Sequence, residues 1–165
     1  MISRKSDMNS EKDFGKSVMA AFKKAGYTCV RIESASTISG MPDLYVMGHG
    51  DDYFIELKNT KADCKDPGYF KVAWRPGQQG WAATYKLQHL HKKCIPVKSG
   101  LQEKTVSKCS WTFQCFNNKI YAIRMEQVFP DDRPLPHSIY ACDKVTELIK
   151  IVVKNTYKIE EENDD

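Results

Sequence analysis

Gly40-Met41-Pro42-Asp43-Leu44-Tyr45-Val46-Met47-Gly48-His49-Gly50-Asp51-Asp52-Tyr53-Phe54-Ile55-Glu56-Leu57-Lys58 is the stretch from which the fold of this 165-residue chain is read. Asp43 to Met47 and Tyr53 to Lys58 are two short runs of aliphatic and aromatic residues, the composition of β-strands. Between them, Gly48 to Asp52 supplies turn formers, so the two runs form a hairpin. If Gly48 and Asp51 close it around a two-residue loop, paired positions sum to 99 and Asp43 stands opposite Glu56. Directly opposed side chains lie about 5 Å apart on one sheet face. Lys58, two residues beyond Glu56, points to that same face. A longer loop would shift the register.

Upstream of the hairpin, residues 1–9 read as a flexible arm. Ser10 is an N-cap, with Asp13 three residues on as a capping-box variant. Phe14, Val18, Ala21, Phe22 and Ala25 follow at helical spacing, and Gly26 is a natural stop. Tyr27 to Glu33 is expected to be a strand, and Ser34 to Met41, rich in small and hydroxyl residues, a loop.

Downstream, residues 59–75 read as a long linker carrying Lys61, Lys65, Lys71 and Arg75, with Phe70 and Trp74 as candidates for stacking on bases. Loops beyond about 12–15 residues are uncommon without a functional reason, so this one is expected to be a substrate-contacting flap or disordered. Pro76 suits a first helical position, which predicts a helix from about Gly77 to His91. In that helix Trp81 and Tyr85 are expected in the core rather than on bases. Ile95 to Lys98 is a further strand. Ser110 to Phe116 and Lys119 to Arg124 flank Asn117-Asn118 as a second hairpin. Phe129 to His137 is irregular, and Val145, Leu148, Ile149 and Val152 mark a C-terminal amphipathic helix. The order is helix, three strands, helix, strand, with additions behind: an α/β mixed sheet flanked by helices.

Apolar residues make up 41% of the chain, ordinary for a globular domain, and no run reaches the roughly 20 apolar residues of a membrane helix. The stretch Met1 to Phe14 lacks the apolar segment of a signal peptide, so a cytoplasmic protein is expected. None of the six cysteines forms Cys-x-x-Cys, which favours reduced thiols over a structural zinc. The net charge is +4, but Glu160 to Asp165 holds five acids; without them the body stands at +9. A basic body suits a nucleic-acid partner, though simple solubility would look the same.

Asp43, Glu56 and Lys58 on one face suit phosphodiester hydrolysis. Magnesium takes oxygen ligands and keeps several waters, so two or three carboxylates suffice to hold it. The lysine can then touch the attacking water or the phosphate. Surface charges on an ordinary hairpin are the alternative, but Glu56 follows Phe54-Ile55 in an apolar strand where unpaired charge is unusual. Glu11 precedes Phe14 by three residues and Val18 by seven, which places it on the sheet-facing stripe as a further candidate ligand. Its alternative is an exposed first-turn acid favoured by the helix dipole. Gln78 shares a helical face with Trp81 and Tyr85 and is a candidate for orienting water or binding phosphate. Its alternative is a solvated first-turn residue.

Gly40-Met41-Pro42-Asp43, Phe54-Ile55-Glu56-Leu57-Lys58 and Pro76-Gly77-Gln78-Gln79-Gly80-Trp81 together resemble the VRR-NUC branch of the PD-(D/E)XK nucleases, over roughly Glu11 to Lys98. That branch holds stand-alone phage and bacterial proteins similar to Holliday-junction resolvases, and nuclease domains of repair enzymes. The resemblance implies a restriction-endonuclease-like fold with an αβββαβ core. It implies metal ligation by Asp43, Glu56, the Leu57 carbonyl and Glu11, catalytic roles for Lys58 and Gln78 (Gln79 as fallback), and Mg2+ as cofactor, with Mn2+ substituting. The long insertion before Pro76 and the C-terminal hairpin and helix after Lys98 depart from the family's pattern and bear on substrate preference, not on catalysis. The nuclease domain is expected over residues 10–128, an irregular loop and packed helix over 129–158, and an acidic tail over 159–165.

The expected activity is a magnesium-dependent endonuclease acting on branched or structured DNA. The rivals are a sequence-specific restriction or homing enzyme, with the second hairpin in a groove, and a DNA-binding module without cleavage. Lys61, Lys65, Lys71, Trp74 and Arg75 are the expected DNA contacts. A homodimer is expected, because paired cuts need two centres; the C-terminal helix and the Ser110 to Arg124 hairpin are its candidate surfaces unless they complete the monomer's own core.

Overall fold

The computed structural model describes residues 11–32, 40–60, 72, 74–116, 119–125 and 136–160. The first helix, α1 (Glu11–Lys24), leads into β1 (Thr28–Arg31), β2 (Leu44–Gly48) and β3 (Asp51–Thr60). After α2 (Gln78–Gln88) come β4 (His91–Val97), β5 (Gly100–Lys108), β6 (Trp111–Phe116) and β7 (Lys119–Arg124), then β8 (Ile139–Cys142), α3 (Val145–Asn155) and β9 (Tyr157–Ile159).

The hairpin register is the one its turn demands. His49 (φ 53°) and Gly50 (φ 79°) form a two-residue turn with both central residues in the left-handed region, the turn that matches strand twist. Leu44 pairs with Ile55 and Gly48 with Asp51, antiparallel. Leu44, Val46, Ile55 and Leu57 are buried on one face, and Phe54, Glu56 and Lys58 point to the other.

Six strands form the main sheet in the order β1-β2-β3-β6-β7-β8. Neighbours are antiparallel except β3 and β6, which run parallel, with Glu56 beside Thr112 and Lys58 beside Gln114. With α1, β1 to β3, α2 and β6, the expected αβββαβ core is present. The strand that completes it is not the one nearest α2 in sequence. β4 and β5 turn away, pair with β9 in a separate three-stranded sheet, and the chain returns as β6. The Ser110 to Arg124 hairpin is therefore central, and its described strand residues are buried apart from Lys119.

One sheet face is covered by α1 and α3. Phe14, Val18 and Phe22 of α1 and Leu148 and Val152 of α3 are fully buried with Leu44, Ile55, Leu57, Trp111 and Phe113. Gly15 lets α1 approach β3: a Cβ there would lie 2.9 Å from Leu57 Cδ1. Trp111 is buried without loss because its indole N–H donates to Thr156 Oγ1 at 2.9 Å. The amphipathic C-terminal helix and the second hairpin thus contribute to the monomer's core, the alternative the sequence left open for them.

Several stretches depart from the sequence reading. α2 ends at Gln88, so His91 opens β4 rather than closing the helix, and β5 was not expected. Asn59 and Thr60 extend β3 rather than starting a linker. α2 begins at Gln78, with Gly77 as its N-cap in the left-handed region (φ 87°). β8 and β9 were not legible, because short strands acquire their partners only from the rest of the sheet. Ser10, residues 61–71 and the Asn117-Asn118 turn lie outside the described residues. Among those described, no helix is long and apolar enough to cross a membrane.

Candidate metal centre on the open face of the sheet

The second face of β2 and β3 is covered only in part, by α2. Phe54 meets Trp81 and Tyr85 edge-on at 5.1 and 5.5 Å, while the two α2 rings stack at 5.2 Å. This aromatic layer buries Tyr85 but leaves Trp81 half-buried, and both pack outside the main core expected for them. It fixes the N-terminus of α2 over Glu56.

Asp43 sits one residue before β2, where β1 and β3 both hold it. Its carbonyl accepts the Ile32 N–H at 2.7 Å, and its Oδ2 accepts the Leu57 N–H at 2.9 Å. The side chain, rather than backbone, thus satisfies β3 at this point and is pinned opposite Glu56. Gly40 turns the chain into this position with φ 86°, and a Cβ on it would lie 2.2 Å from the Gly77 carbonyl oxygen. The loop before Asp43 and the N-terminus of α2 therefore touch backbone to backbone.

Glu56 is 3% exposed. Burial raises its pKa above the ordinary glutamate value; Lys58 pulls it down and the neighbouring Asp43 pushes it up. Glu56 Oε1 lies 2.8 Å from Lys58 Nζ, and Lys58 is itself 8% exposed. Arg75 completes the cluster: its Nη2 is 3.3 Å from Asp43 Oδ1 and 3.3 Å from Glu56 Oε1. One cationic group thus reaches both carboxylates at once.

Gln78 is buried, not solvated. Its Oε1 accepts the Arg75 backbone N–H at 2.7 Å, which orients the amide. Its side chain adds a smaller lowering of the Glu56 pKa, yet Gln78 Nε2 and Glu56 Oε2 make no hydrogen bond of normal geometry.

The structure therefore brings together Asp43, Glu56, Lys58, Gln78 and Arg75. Glu11 is not among them. It is exposed at the first turn of α1, where the helix dipole suits an acid, and no three His, Cys, Asp or Glu side chains converge among the described residues. Trp74 is half-buried against Val72, Phe116, Tyr121 and Ile123, with its indole N–H 3.4 Å from Thr112 Oγ1. Packing against that cluster limits the ring surface left for stacking on a base. Lys61, Lys65, Phe70 and Lys71 lie outside the described residues. The contact of Arg75 with both acids and the burial of Ser110 beside Glu56 had no local signal in the sequence, since both depend on where α2 and β6 dock.

A wider cleft of about 600 Å3 lies at the hairpin end, lined by Asp51, Asp52, His89 and Lys108 among others. There Lys108 Nζ binds Asp51 Oδ1 at 2.8 Å and also contacts Asp52, joining β5 to the β2–β3 turn. Its charges are already paired.

Asp43 and Glu56 fit a divalent cation of the magnesium type. Their donors are hard oxygens, a cation already reaches both, and two carboxylates leave the remaining positions to water. No family model matches the chain, and no curated protein does. Among solved structures, a similar chain is Hjc of Archaeoglobus fulgidus, a Holliday junction resolvase from an archaeal hyperthermophile. It is 12% identical, with a TM-score of 0.45, over 83% of this chain and 92% of that one.

Proposed function

We propose that the chain is a magnesium-dependent endonuclease that hydrolyses DNA phosphodiesters, with branched or structured DNA as its substrate. The observation that carries this is the pair of carboxylates, one of them deeply buried, that share a single cationic group while a lysine stands 2.8 Å from the inner one. Unlike charges on an ordinary hairpin surface, these are fixed by the fold: Asp43 by the Leu57 N–H, Glu56 by burial.

Asp43, Glu56 and the Leu57 carbonyl would hold the metal, which when bound supplies Lewis-acid charge to the scissile phosphate. Lys58, 2.8 Å from Glu56, is placed to steady the attacking water. Gln78, tied by Oε1 to the Arg75 backbone, holds its Nε2 toward Glu56. Arg75, 49% exposed at its side chain, is free to turn from the carboxylates to a phosphate. Lys61, Lys65 and Lys71 add phosphate contacts from the segment between β3 and α2. The exposed β4–β5 ribbon bears Lys92, Lys93 and Lys98, with Lys93 directly opposite Lys104. Like charges across a ladder repel, and a polyanion would relieve this.

The groove-reading rival loses its element, since the Ser110 to Arg124 hairpin lies inside the sheet. Paired cutting of a junction calls for a homodimer. The test is a cleavage screen over linear duplex, single-strand, flap and four-way-junction DNA, with and without magnesium, together with sedimentation. Metal-dependent cutting that Glu56→Ala abolishes is the expected result. Cutting that survives Glu56→Ala overturns the metal assignment; a strict monomer that cuts only flaps or single nicks overturns the resolvase part alone.

A further inference from the structure

Glu56 uses its two oxygens differently. Oε1 faces Lys58 and Arg75, whereas Oε2 is buried and has no hydrogen-bond partner. Among the other buried polar atoms in the same condition, two lie near it: Gln78 Nε2 and Ser110 Oγ. Their residues are 3%, 3% and 1% exposed, and all three line one cavity walled by Pro42, Trp111 and Met125. Buried polar atoms are rarely left unpaired, and three around one space point to an occupant.

The cavity measures about 10 Å3, close to the lower limit for one water and too small for any organic group. Its chemistry fits water as well. A carboxylate oxygen accepts, the Gln78 amide nitrogen donates, and the Ser110 hydroxyl can do either. The amide is not free to flip, because Oε1 already accepts the Arg75 N–H at 2.7 Å. A water there makes three hydrogen bonds, the usual number for a buried one. A metal ion is disfavoured, since the amide presents N–H and a single carboxylate oxygen remains.

We propose that Ser110 and Gln78 hold one structural water against Glu56 Oε2, and that Ser110 acts through it as a positioning residue for the metal-binding carboxylate. The water would tie β3 to the start of β6 and to the first turn of α2, fixing the carboxylate so that Oε1 points to the open side. This rests on the reading of Glu56 as a metal ligand. Groups that orient a ligand from behind typically change metal affinity by about 10–100-fold when removed.

Two measurements test it. In a high-resolution crystal structure of the wild-type protein, one water is expected within hydrogen-bond distance of Glu56 Oε2, Gln78 Nε2 and Ser110 Oγ. A dry cavity, or one closed by a direct Gln78–Glu56 bond, overturns the proposal. In calorimetric titration with Mg2+ or Ca2+, Ser110→Ala is expected to bind at least ~10-fold more weakly. Ser110→Val, which fills the space with a methyl group, should bind at least as weakly, with both variants still showing a cooperative thermal transition. Metal affinity that falls in Glu56→Ala but not in Ser110→Ala overturns the positioning role. Unchanged affinity in Glu56→Ala fails the metal reading instead, and the crystallographic water then stands or falls by itself.

Discussion

Replacing Arg75 with alanine should strengthen metal binding while weakening DNA binding. The guanidinium Nη2 stands 3.3 Å from an oxygen of Asp43 and 3.3 Å from one of Glu56, so it holds the position between the carboxylates that a metal would take. At an effective dielectric of about 20, a unit pair at that distance is worth roughly 5 kcal/mol before desolvation is counted. Arg75 is 49% exposed at its side chain, however, so water screens much of this and each contact falls to about 0.5–1 kcal/mol net. A metal must therefore displace about 1–2 kcal/mol of ion pairing, and Arg75→Ala should bind Mg2+ roughly 5–30-fold more tightly. The bond from the Arg75 backbone N–H to Gln78 Oε1 survives the substitution, so α2 should keep its place. Calorimetric titration of wild type and variant at low salt measures the change, and filter binding of a junction measures the opposite loss in DNA affinity. Equal or weaker metal binding in Arg75→Ala would refute the competition.

Asp43→Ala should lose nearly all cleavage, and Lys58→Met should still bind metal and DNA but cut at least ~100-fold more slowly, with Lys58→Arg restoring only part of the rate. Single-turnover assays decide this, and an unimpaired Lys58→Met would reduce that lysine to a structural partner of Glu56. Because burial raises the Glu56 pKa, its proton competes with the metal at higher pH than an ordinary glutamate would. Metal affinity should fall about tenfold per unit as pH drops through that raised value, with the break above 4.5; a break at or below 4.5 contradicts the burial. For Lys108, burial alone would lower the pKa, but the hydrogen bonds to Asp51 and Asp52 outweigh it and raise it above 10.5. Lys108→Met should cost about 2–4 kcal/mol in urea unfolding, somewhat below a fully buried pair because the aspartates are part-exposed. Since the folded pKa is raised, that contribution is whole below pH 10.5 and lost as pH climbs through the folded value, so the gap between wild type and variant should narrow only in alkali.

The sequence by itself determined what is local. The His49-Gly50 turn set the hairpin register, and a period of two then put Asp43, Glu56 and Lys58 on one face before any tertiary contact was known. Helical spacing placed α1 and α3, and the same arithmetic put Gln78, Trp81 and Tyr85 on one face of α2. What the tertiary structure alone decided is non-local. A parallel partner for β3 is separated from it by a helix and an entire β-ribbon, and Trp111 to Phe116 alternates apolar with polar residues, so its burial on both faces, Thr112 and Gln114 included, is set only by docking. Once β6 occupied that place, Thr112 lay beside Glu56, Trp74 packed over Thr112, and Ser110 came up behind the carboxylate. Glu11 shows the same limit from the other side: its spacing fits a stripe facing the sheet, but a first-turn residue reaches the site only if the helix axis aims it there. Side-chain periodicity fixes the face a residue takes on its own element; the docking of separate elements fixes which faces meet.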